Sequence, residues 1–339
     1  MHAGILGYGA YIPRFRIRSE DVREAWGALS VPGVRERAFP AFDEDVITMA
    51  VAAGRQALER AEVPGEEIRS LYLATTSGPY DEKPNVSTVA TALSGSPRLR
   101  VTEVTGTPRA GTAALLAAWE FVSVHQAPAM VVASDSPLAH PSTGLEQAFG
   151  AAAAAFVLGP GEGATVLEAC VSLSSESFGQ RFRRRGQRFV QDLELRQDEY
   201  NSCVTDAIKG LMGSAGIRLD EIRGVALHDA DGVSAQRVLG RMGFSPSLPA
   251  SLTPRVGDAG AAGALLAFAH LLDESAGGDR ILLASYGAGS DATAWRVGSG
   301  MKPARGRPPM VEDLLREARY VPYVTYLKMR GLLSPETRS

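Results

Sequence analysis

Cysteine is scarce in this sequence of 339 residues, which has two, Cys170 and Cys203. Two cysteines so far apart supply neither a disulfide framework nor the spacing of a metal site. Such low cysteine usage is typical of proteins that work in a reducing compartment. We therefore expect a cytoplasmic protein without a metal centre.

Long apolar runs are absent as well. The longest, around residues 148–158, is too short to cross a bilayer as a helix. The first residues, MHAGILGYGAYIP, lack the basic start and the small-residue cleavage site of a secretory signal. We expect neither a signal peptide nor a membrane partner.

An excess of either charge is missing too, since the formal net charge is −3 with 22% charged residues. This balance excludes a global attraction to nucleic acid or to an anionic membrane. With 45% hydrophobic residues, a chain of this length can form two units that each bury a core.

The sequence does contain an alternation of strands and helices that occurs twice. An acidic loop leads into a strand at residues 67–74 and again at 221–228. A helix that opens with Ala-Gly and is rich in alanine and leucine leads into a strand at 110–134 and again at 259–285. The two pairs recur at nearly the same offset, which indicates a duplicated α/β unit.

Each half should contain a mixed sheet covered by helices. The helices that begin near residues 110 and 259 are built from very small side chains, as a helix buried between two sheets requires. The sequence therefore predicts a five-layer αβαβα fold made from two duplicated halves, which we place at residues 1–168 and 169–339.

Local signals complete the fold prediction. Asp43 precedes an amphipathic helix and is its expected N-cap. Glycine-rich turns at residues 159–163 and 287–290 lie between strand-like runs, and each indicates a hairpin that closes one half. Cys170 on a strand and Cys203 in a helix are expected to be buried structural thiols.

The chemistry is expected at residues 104–116, VTGTPRAGTAALL, whose order predicts a strand, a tight turn and a buried helix. The amides at a helix N-terminus stabilise an anion. Enzymes that pass acyl groups often place a cysteine there, because the helix dipole lowers the pKa of the thiol. Here the expected apex of the turn is Pro108, which has no nucleophile.

Six segments along nearly the whole chain occur in a fixed order: GILGYGAYIPRFRI, FDEDVITMAVAAGRQAL, RAGTAAL, RFRRRGQRF, LASYGAGSDA and YVPYVTYLKMRG. Together they resemble hydroxymethylglutaryl-CoA synthase of the archaeal and bacterial type, a family of the thiolase-like superfamily. The resemblance implies the thiolase-like fold. For the family it implies a cysteine that takes an acetyl group from acetyl-CoA, a glutamate general acid/base, and a histidine that positions the second acyl-CoA.

Carried over residue by residue, the resemblance implies that two of these three groups are lost. Aligning RAGTAAL places the family's cysteine at Pro108, and aligning LYLATTSGPY places its glutamate at Thr76. Aligning VALHDADG retains the histidine as His228 and places a nearby family asparagine at Asp231. Without a thiolate and a carboxylate the chain is not expected to be a working hydroxymethylglutaryl-CoA synthase.

His228 and Asp231 remain the candidate catalytic residues. His228, at the end of a predicted strand, either orients a substrate carbonyl or is an inherited histidine satisfied by its neighbours. Asp231 either orients His228 or caps the next helix, and we favour the cap.

The run RFRRRGQRF, residues 181–189, is the one concentrated positive patch. Arg183, Arg184 and Arg185 either dock the phosphates of coenzyme A or a carrier protein's phosphopantetheine, or form a solvated face. In the loop 287–290, the residues Gly287 and Ser290 either help to hold an oxyanion or belong to a tight hairpin.

Three functions remain open. The first is a catalytically degenerate subunit of an acyl-transfer complex, which by resemblance would be a homodimer or would join a thiolase and a small oligonucleotide-binding-fold protein. The second is an acyltransferase that moves an acyl group from a coenzyme A or carrier-protein thioester directly to an acceptor, with His228 as base. The third is a protein that binds acyl-CoA without turnover. None of them needs a permanently bound cofactor; acyl-CoA or an acyl carrier protein would be the substrate or partner.

Overall fold

The computed structural model describes residues 3–28, 31–176, 181–192, 197–245, 248–300 and 309–333. The strands are β1 (Ala3–Tyr11), β2 (Phe15–Arg18), β3 (Glu36–Ala38), β4 (Ser70–Ala74), β5 (Arg100–Val104), β6 (Ala129–Asp135), β7 (Ala152–Pro160), β8 (Thr165–Ser174), β9 (Ile222–Leu227), β10 (Arg280–Tyr286), β11 (Gly289–Arg296) and β12 (Arg319–Tyr320).

The helices are α1 (Ser19–Trp26), α2 (Val46–Ala61), α3 (Asn85–Leu93), α4 (Ala110–His125), α5 (Gly144–Ala148), α6 (Gln197–Ala215), α7 (Ser234–Arg241), α8 (Thr253–Val256), α9 (Gly263–Glu274), α10 (Val311–Arg316) and α11 (Tyr323–Met329). Short 3-10 turns precede β4, β9 and α9. Within the described ranges, no helix combines the length and the apolar character that crossing a bilayer requires.

The main sheet, as far as the chain is described, has nine strands in the order β5-β4-β6-β7-β1-β8-β11-β10-β9. It consists of two half-sheets that join where Gly4 and Ile5 of β1 pair with Val166 and Thr165 of β8. In the first half β4 runs parallel to β5 and β6, and in the second β9 runs parallel to β10. The division between residues 168 and 169 lies inside β8 and stays a prediction.

Three clusters of buried apolar residues lie between the layers of the fold. On the outer face of the first half-sheet, α2 and α3 pack against β4, β6 and β7. On the outer face of the second, α6 and α7 pack against β9, β10 and β11. Between the half-sheets, α4 and α9 share one cluster with residues from both. The predicted αβαβα arrangement of layers is therefore confirmed.

The small side chains of α4 let the middle layer pack closely. Ala110, Ala114 and Ala118 are fully buried on this helix. A Cβ added to Gly111 would lie 2.3 Å from the carbonyl oxygen of Ala261, so glycine is required where the two helix starts meet. The interpretation of these residues as spacers between two sheets agrees with this packing.

One of the two predicted hairpins is wrong. β10 and β11 do pair as neighbours, with Tyr286 opposite Ser290. The turn at residues 159–163, however, joins β7 to β8, which are not neighbours because β1 lies between them and pairs with both. The first strand of the chain supplies this pairing, and a local turn pattern carries no information about so distant a segment.

The N-cap of α2 is Asp45 rather than Asp43. Asp45 Oδ1 accepts a hydrogen bond from the amide of Thr48 at 2.8 Å, and Thr48 Oγ1 accepts one from the amide of Asp45 at 2.7 Å. This reciprocal capping box needs Thr48 three residues later, which fixes the start of the helix beyond the first acidic residues.

A small sheet, β12-β2-β3, packs with α1 and α11 beside the main sheet. Arg37 of β3 connects it to the rest of the molecule, because its Nη2 lies 2.5 Å from Oε1 of Glu146 on α5. The guanidinium of Arg37 also lies over the ring of Tyr326 on α11, 4.7 Å from its centroid. The side chains of Arg37 and Glu146 are 4% and 1% exposed, so they form a buried ion pair that links the small sheet to α5.

Candidate active site

The loops that follow the parallel strands of both half-sheets meet at one end of the molecule. The first half contributes the loops after β4, β5 and β6, and the second contributes those after β9 and β10. Ligands of α/β proteins commonly bind at the carboxyl ends of strands. Hydrogen bonds and close backbone contacts join the two sets of loops into one candidate site.

The turn between β5 and α4 carries Pro108. The amide of Ala110 donates to the carbonyl oxygen of Thr107 at 3.0 Å and closes the turn around this half-buried proline. The hairpin loop of the second half lies directly against it, since a Cβ on Gly287 would be 1.9 Å from Thr107 Oγ1. The predicted strand, turn and helix are thus confirmed, and the N-terminus of α4 faces the loop at residues 287–290.

Polar side chains anchor the start of α4 to the second half. Arg109 Nη1 donates to the carbonyl oxygen of Leu173 at 2.6 Å, and its Nε lies 3.7 Å from Asp291 Oδ2. Thr112 Oγ1 donates to the same oxygen of Asp291 at 2.8 Å and lies 2.5 Å from Ser285 Oγ. These bonds fix the position of the turn relative to β10 and β11.

Thr76, after β4, is held by the buried side chain of Asp135, at the end of the neighbouring strand β6. Its amide and its hydroxyl donate to Asp135 Oδ2 at 3.1 and 2.7 Å. The hydroxyls of Thr75 and Ser77 donate to the other oxygen of Asp135, and the amide of Ala261 reaches Oδ2 from the second half at 2.9 Å. Asp135 therefore ties together three loops of the site.

Asp135 was not predicted from the sequence as a residue of the site. One signal was available, because Asp135 is the first charged residue after the apolar run of β6. Its reach across the two halves depends on Gly260, which has φ +52° and whose added Cβ would lie 2.2 Å from Asp135 Oδ2. Such an approach between distant segments exists only in the folded chain.

His228 follows β9 and is 4% exposed. Its amide donates to the carbonyl oxygen of Ala284 at 3.0 Å, and the hydroxyl of Tyr200 donates to its carbonyl oxygen. Its ring Nε2 lies 3.3 Å from Asp258 Oδ1, whereas Nδ1 is buried without a hydrogen-bond partner among the described residues. The backbone and one ring nitrogen of His228 are thus fixed.

Asp258 is the carboxylate that faces His228. Its Oδ1 also accepts from the amide of Gly260 at 2.8 Å, and its Oδ2 lies 2.5 Å from Arg181 Nη1. Burial opposes ionisation of this carboxyl, but Arg181 and His228 outweigh it and hold its pKa well below the usual range. Asp258 stands just before the small-residue start of the middle-layer helix, and it was not predicted as the partner of His228 because the two residues are 30 positions apart in the chain.

Asp231 lies just before α7, whose N-cap residue is Val233, and its carboxylate accepts hydrogen bonds from the amides at the start of that helix. Its Oδ1 accepts from the amides of Val233 and Ser234 at 2.9 and 2.7 Å, and its Oδ2 accepts from the hydroxyl of Ser234 at 2.8 Å. These amides hold the carboxylate at the helix, and the carboxylate that pairs with His228 is Asp258 instead. The structure thus supports a capping role for Asp231.

Asp229 is a further buried carboxyl beside His228. Its Oδ1 accepts from the amides of Asp231 and Gly232 at 3.1 and 3.0 Å. Burial, and then the neighbouring Asp231, raise its pKa to about 8. At neutral pH this carboxyl is therefore mostly protonated.

Replacing Asp229 with asparagine should remove a pH dependence of stability. Because its pKa is raised on folding, the folded chain keeps a proton that the unfolded chain loses above about pH 4. This stabilisation is complete below that pH and is lost as the pH rises through about 8. Urea denaturation should show the free energy of unfolding falling from pH 5 to pH 8 for the wild type but not for Asp229→Asn. Asp220→Asn, at a fully exposed carboxyl whose pKa is lowered, should keep the wild-type profile in that window. Parallel profiles for Asp229→Asn and the wild type would contradict this assignment.

The arginine run does not form one patch. Arg181 points inward to Asp258 with its side chain 15% exposed, and Arg188 donates to the carbonyl oxygens of Arg330 and Gly331. These two residues attach the segment at its ends. They leave the middle of the run as the candidate anion dock.

The middle of the run is exposed. Arg183 Nη2 donates to the carbonyl oxygen of Thr76 at 3.0 Å, which places it at the mouth of the site. Arg185 lies 3.6 Å from Glu82 in a pair whose members are both more than 80% exposed. Arg184 is exposed as well. Both the solvated face and the phosphate dock are compatible with these positions.

The loop at residues 287–290 is a tight hairpin. The amide of Gly287 donates to the carbonyl oxygen of Gly289 at 2.9 Å, and Ala288 and Gly289 have φ of 52° and 117°. Ser290 is fully buried, and its hydroxyl donates to the carbonyl oxygen of Ser285 at 2.7 Å. The Gly287 amide and the Ser290 hydroxyl are therefore engaged within the hairpin, whose backbone lies against the Pro108 turn.

Neither cysteine is part of the core, contrary to expectation. Cys170 on β8 is exposed and Cys203 on α6 is half-buried. Cys170 is exposed because α6 covers only the other face of β8. Partial burial still raises the pKa of both thiols. Among the described residues neither thiol is hydrogen-bonded to His228, and none of the His, Cys, Asp and Glu side chains there group into a metal site.

The sequence of the chain is similar to those of acyl-transferring enzymes. Residues 212–297 match the model of the 3-oxoacyl-[acyl-carrier-protein] synthase III C-terminal family. Hydroxymethylglutaryl-CoA synthase of Pyrococcus horikoshii is 33% identical over 341 residues, covering 96% of this chain and 95% of the relative.

Solved structures agree on the fold. A hydroxymethylglutaryl-CoA synthase complexed with CoA superposes with a TM-score of 0.84 at 19% identity, covering 97% of this chain and 90% of the other. The hydroxymethylglutaryl synthase of the curacin biosynthetic pathway, in complex with acetyl donor-ACP, gives 0.82 at 19% identity, covering 97% and 88%. The thiolase-like fold predicted from the sequence is therefore confirmed.

Proposed function

Because this chain belongs to the hydroxymethylglutaryl-CoA synthase family, we propose that it works without a covalent acyl-enzyme, as a degenerate, non-nucleophilic subunit of a complex that transfers acyl groups. The observation that carries this is Pro108 at the N-terminus of α4, packed beside the Gly287 loop. The proline side chain cannot accept an acyl group at the position where the helix amides would stabilise a thiolate.

The environment of Thr76 supports the same proposal. In a condensing reaction a free carboxylate near the thioester would remove the acetyl proton. Thr76 has no carboxylate, and its hydroxyl is engaged with Asp135. Asp135 in turn accepts hydrogen bonds from the loop after β4 and from the 3-10 turn before α9, so its oxygens hold these segments together and are not free to act as a base.

The outer strand β5 supports an oligomer. It is the edge of the main sheet and pairs with β4 among the described residues, so its second edge is open to another strand. We propose a homodimer formed through this edge, or a heteromer with a thiolase and a small oligonucleotide-binding-fold protein. An acyl carrier protein is the other candidate partner, and acyl-CoA or the carrier thioester would be the substrate.

Intact-mass spectrometry tests the absence of an acyl-enzyme. Wild-type protein incubated with acetyl-CoA at neutral pH should keep its unmodified mass, because the raised pKa of Cys170 and Cys203 keeps both thiols protonated. A stable acetyl adduct in stoichiometric amount would disprove the proposal. Acyl transfer by the chain only when mixed with a co-purifying thiolase would support the subunit role.

A second function is favoured by the unpartnered ring nitrogen of His228. In this alternative the chain moves an acyl group from a thioester directly to an acceptor, with His228 as general base. The acceptor's proton moves to His228, and the acceptor atom bonds to the acyl carbon. The carbon–sulfur bond then breaks, and the leaving thiolate takes the proton back. Asp258 would stabilise the imidazolium between these steps.

Kinetics separate the candidates. Direct transfer requires both substrates to be bound together, so initial rates should follow a sequential rather than a ping-pong pattern. His228→Ala should then lose most of the turnover. Tight acyl-CoA binding without turnover, alone or with partners, would point to the third function, a non-catalytic acyl-CoA-binding protein.

Reversing the charge of Arg183, Arg184 and Arg185 tests the proposed phosphate dock. The triple change to glutamate should abolish acyl-CoA or carrier-protein binding in calorimetry, because guanidinium groups at the mouth of the site would no longer meet the phosphates. Arg218→Glu, at another exposed arginine, is the matched control and should leave affinity unchanged. Unchanged affinity of the triple variant would rule out the dock.

A further inference from the structure

The two ring nitrogens of His228 lie in different surroundings. Nε2 is 3.3 Å from Asp258 Oδ1. Nδ1 has no hydrogen-bond partner among the described residues, although the side chain is 5% exposed. A buried polar atom of this kind ordinarily has a partner, so Nδ1 marks a place where another group belongs.

The environment of Asp258 decides which nitrogen carries the proton. Its Oδ1 accepts from the amide of Gly260, and its Oδ2 pairs with Arg181 at 2.5 Å. Burial opposes the charge, but these neighbours lower the pKa of the carboxyl, so it is ionised and can only accept hydrogen bonds. The hydrogen between the two side chains therefore sits on Nε2. In the neutral form of His228 the imidazole carries only this one ring proton, and Nδ1 then has a lone pair.

We infer that Asp258 is a positioning residue that sets the tautomer of His228, and that the group accommodated beside Nδ1 is a hydrogen-bond donor: the thiol, hydroxyl or amine of an acyl acceptor. This rests on the direct-transfer alternative of the proposed function and names its acceptor class. A carbonyl oxygen, which only accepts hydrogen bonds, is unsuited to a nitrogen lone pair. Arg181 supports the arrangement by holding the second oxygen of Asp258, which prevents the carboxylate from turning away.

Nitrogen-15 NMR of the full chain labelled at histidine tests the tautomer. The His228 signals are assigned by their loss in His228→Gln. Wild type should show hydrogen on Nε2 and none on Nδ1. Asp258→Ala should shift the ring toward a mixture of tautomers, whereas Arg218→Met, at an exposed ion pair with Asp220 that does not involve Asp258, should keep the wild-type form. A proton on Nδ1 in the wild type, or an unchanged tautomer in Asp258→Ala, overturns the inference. The first result is read from the wild-type protein, and only its assignment uses the His228→Gln variant.

Matched small molecules test the acceptor class. Pantetheine and its hydroxyl and amino analogues each carry a donor hydrogen, and their methyl-capped forms do not. At least one uncapped compound should shift the Nδ1 resonance, and its capped form should not. No shift with any uncapped compound, or equal shifts within every pair, overturns the acceptor class. An acetyl adduct on the wild type would instead remove the proposed function and leave the tautomer result standing.

Discussion

Replacing Pro108 with cysteine should give a protein that carries one acetyl group after incubation with acetyl-CoA, where the wild type carries none. The new thiol would stand at the N-terminus of α4, a helix of 16 residues whose free amides and dipole favour a thiolate. Intact-mass spectrometry should show the change from no adduct to one adduct on most of the protein. Labelling should increase with pH as the thiolate fraction grows.

Matched variants locate that adduct. Pro108→Ser introduces a hydroxyl, which has no comparable tendency to ionise, and should remain unlabelled. Cys170→Ala and Cys203→Ala, combined with Pro108→Cys, should leave the labelling unchanged. If Pro108→Cys stays unmodified, or if labelling disappears with Cys203, the turn at residue 108 is not the acyl site of this fold.

Replacing Arg37 with methionine should destabilise the protein by about 3–5 kcal/mol, because a buried carboxylate would lose its charged partner. Glu146 is 1% exposed, and its Oε2 already has no hydrogen-bond partner among the described residues. The change also removes the contact between the guanidinium and the ring of Tyr326. Chemical denaturation should show a lower free energy of unfolding.

Two further variants show whether the loss of stability comes from an unpaired buried charge. Arg218→Met breaks a pair whose members are 71% and 69% exposed, and it should leave the midpoint unchanged because water screens such pairs. Arg37→Met combined with Glu146→Leu should recover part of the lost stability, since no unpaired charge remains. If the single Arg37→Met variant is as stable as the wild type, the ion pair between Arg37 and Glu146 does not stabilise the fold.

Much of the fold could be predicted because its signals are local. The alanine-rich start of α4 and the β-branched run before it determine a strand, a turn and a buried helix through the sizes of neighbouring side chains. The duplicated pattern then fixes two α/β halves. The prediction of a hairpin at residues 159–163 was wrong because strand pairing there is not local. The strand β1, from the other end of the first half, lies between β7 and β8.

The candidate site was predictable only in part. The sequence located Pro108, Thr76 and His228 by resemblance, and the fold brings the loops that carry them to one end of the sheet. It did not identify Asp135 or Asp258, since a buried aspartate has the same local pattern whether it caps a helix or faces a histidine. Asp231 shows the opposite case, where a nearby aspartate caps a helix and a distant one pairs with the ring.

By itself, therefore, the sequence determined the layers, the duplication and the residue at the tip of the turn, because hydrophobic pattern and side-chain size act over a few neighbouring positions. Only the tertiary structure decided which carboxylate holds His228 and which loops Asp135 ties together. Those contacts join segments far apart in the chain, and their hydrogen bonds and charges form only when both half-sheets are packed around the middle layer.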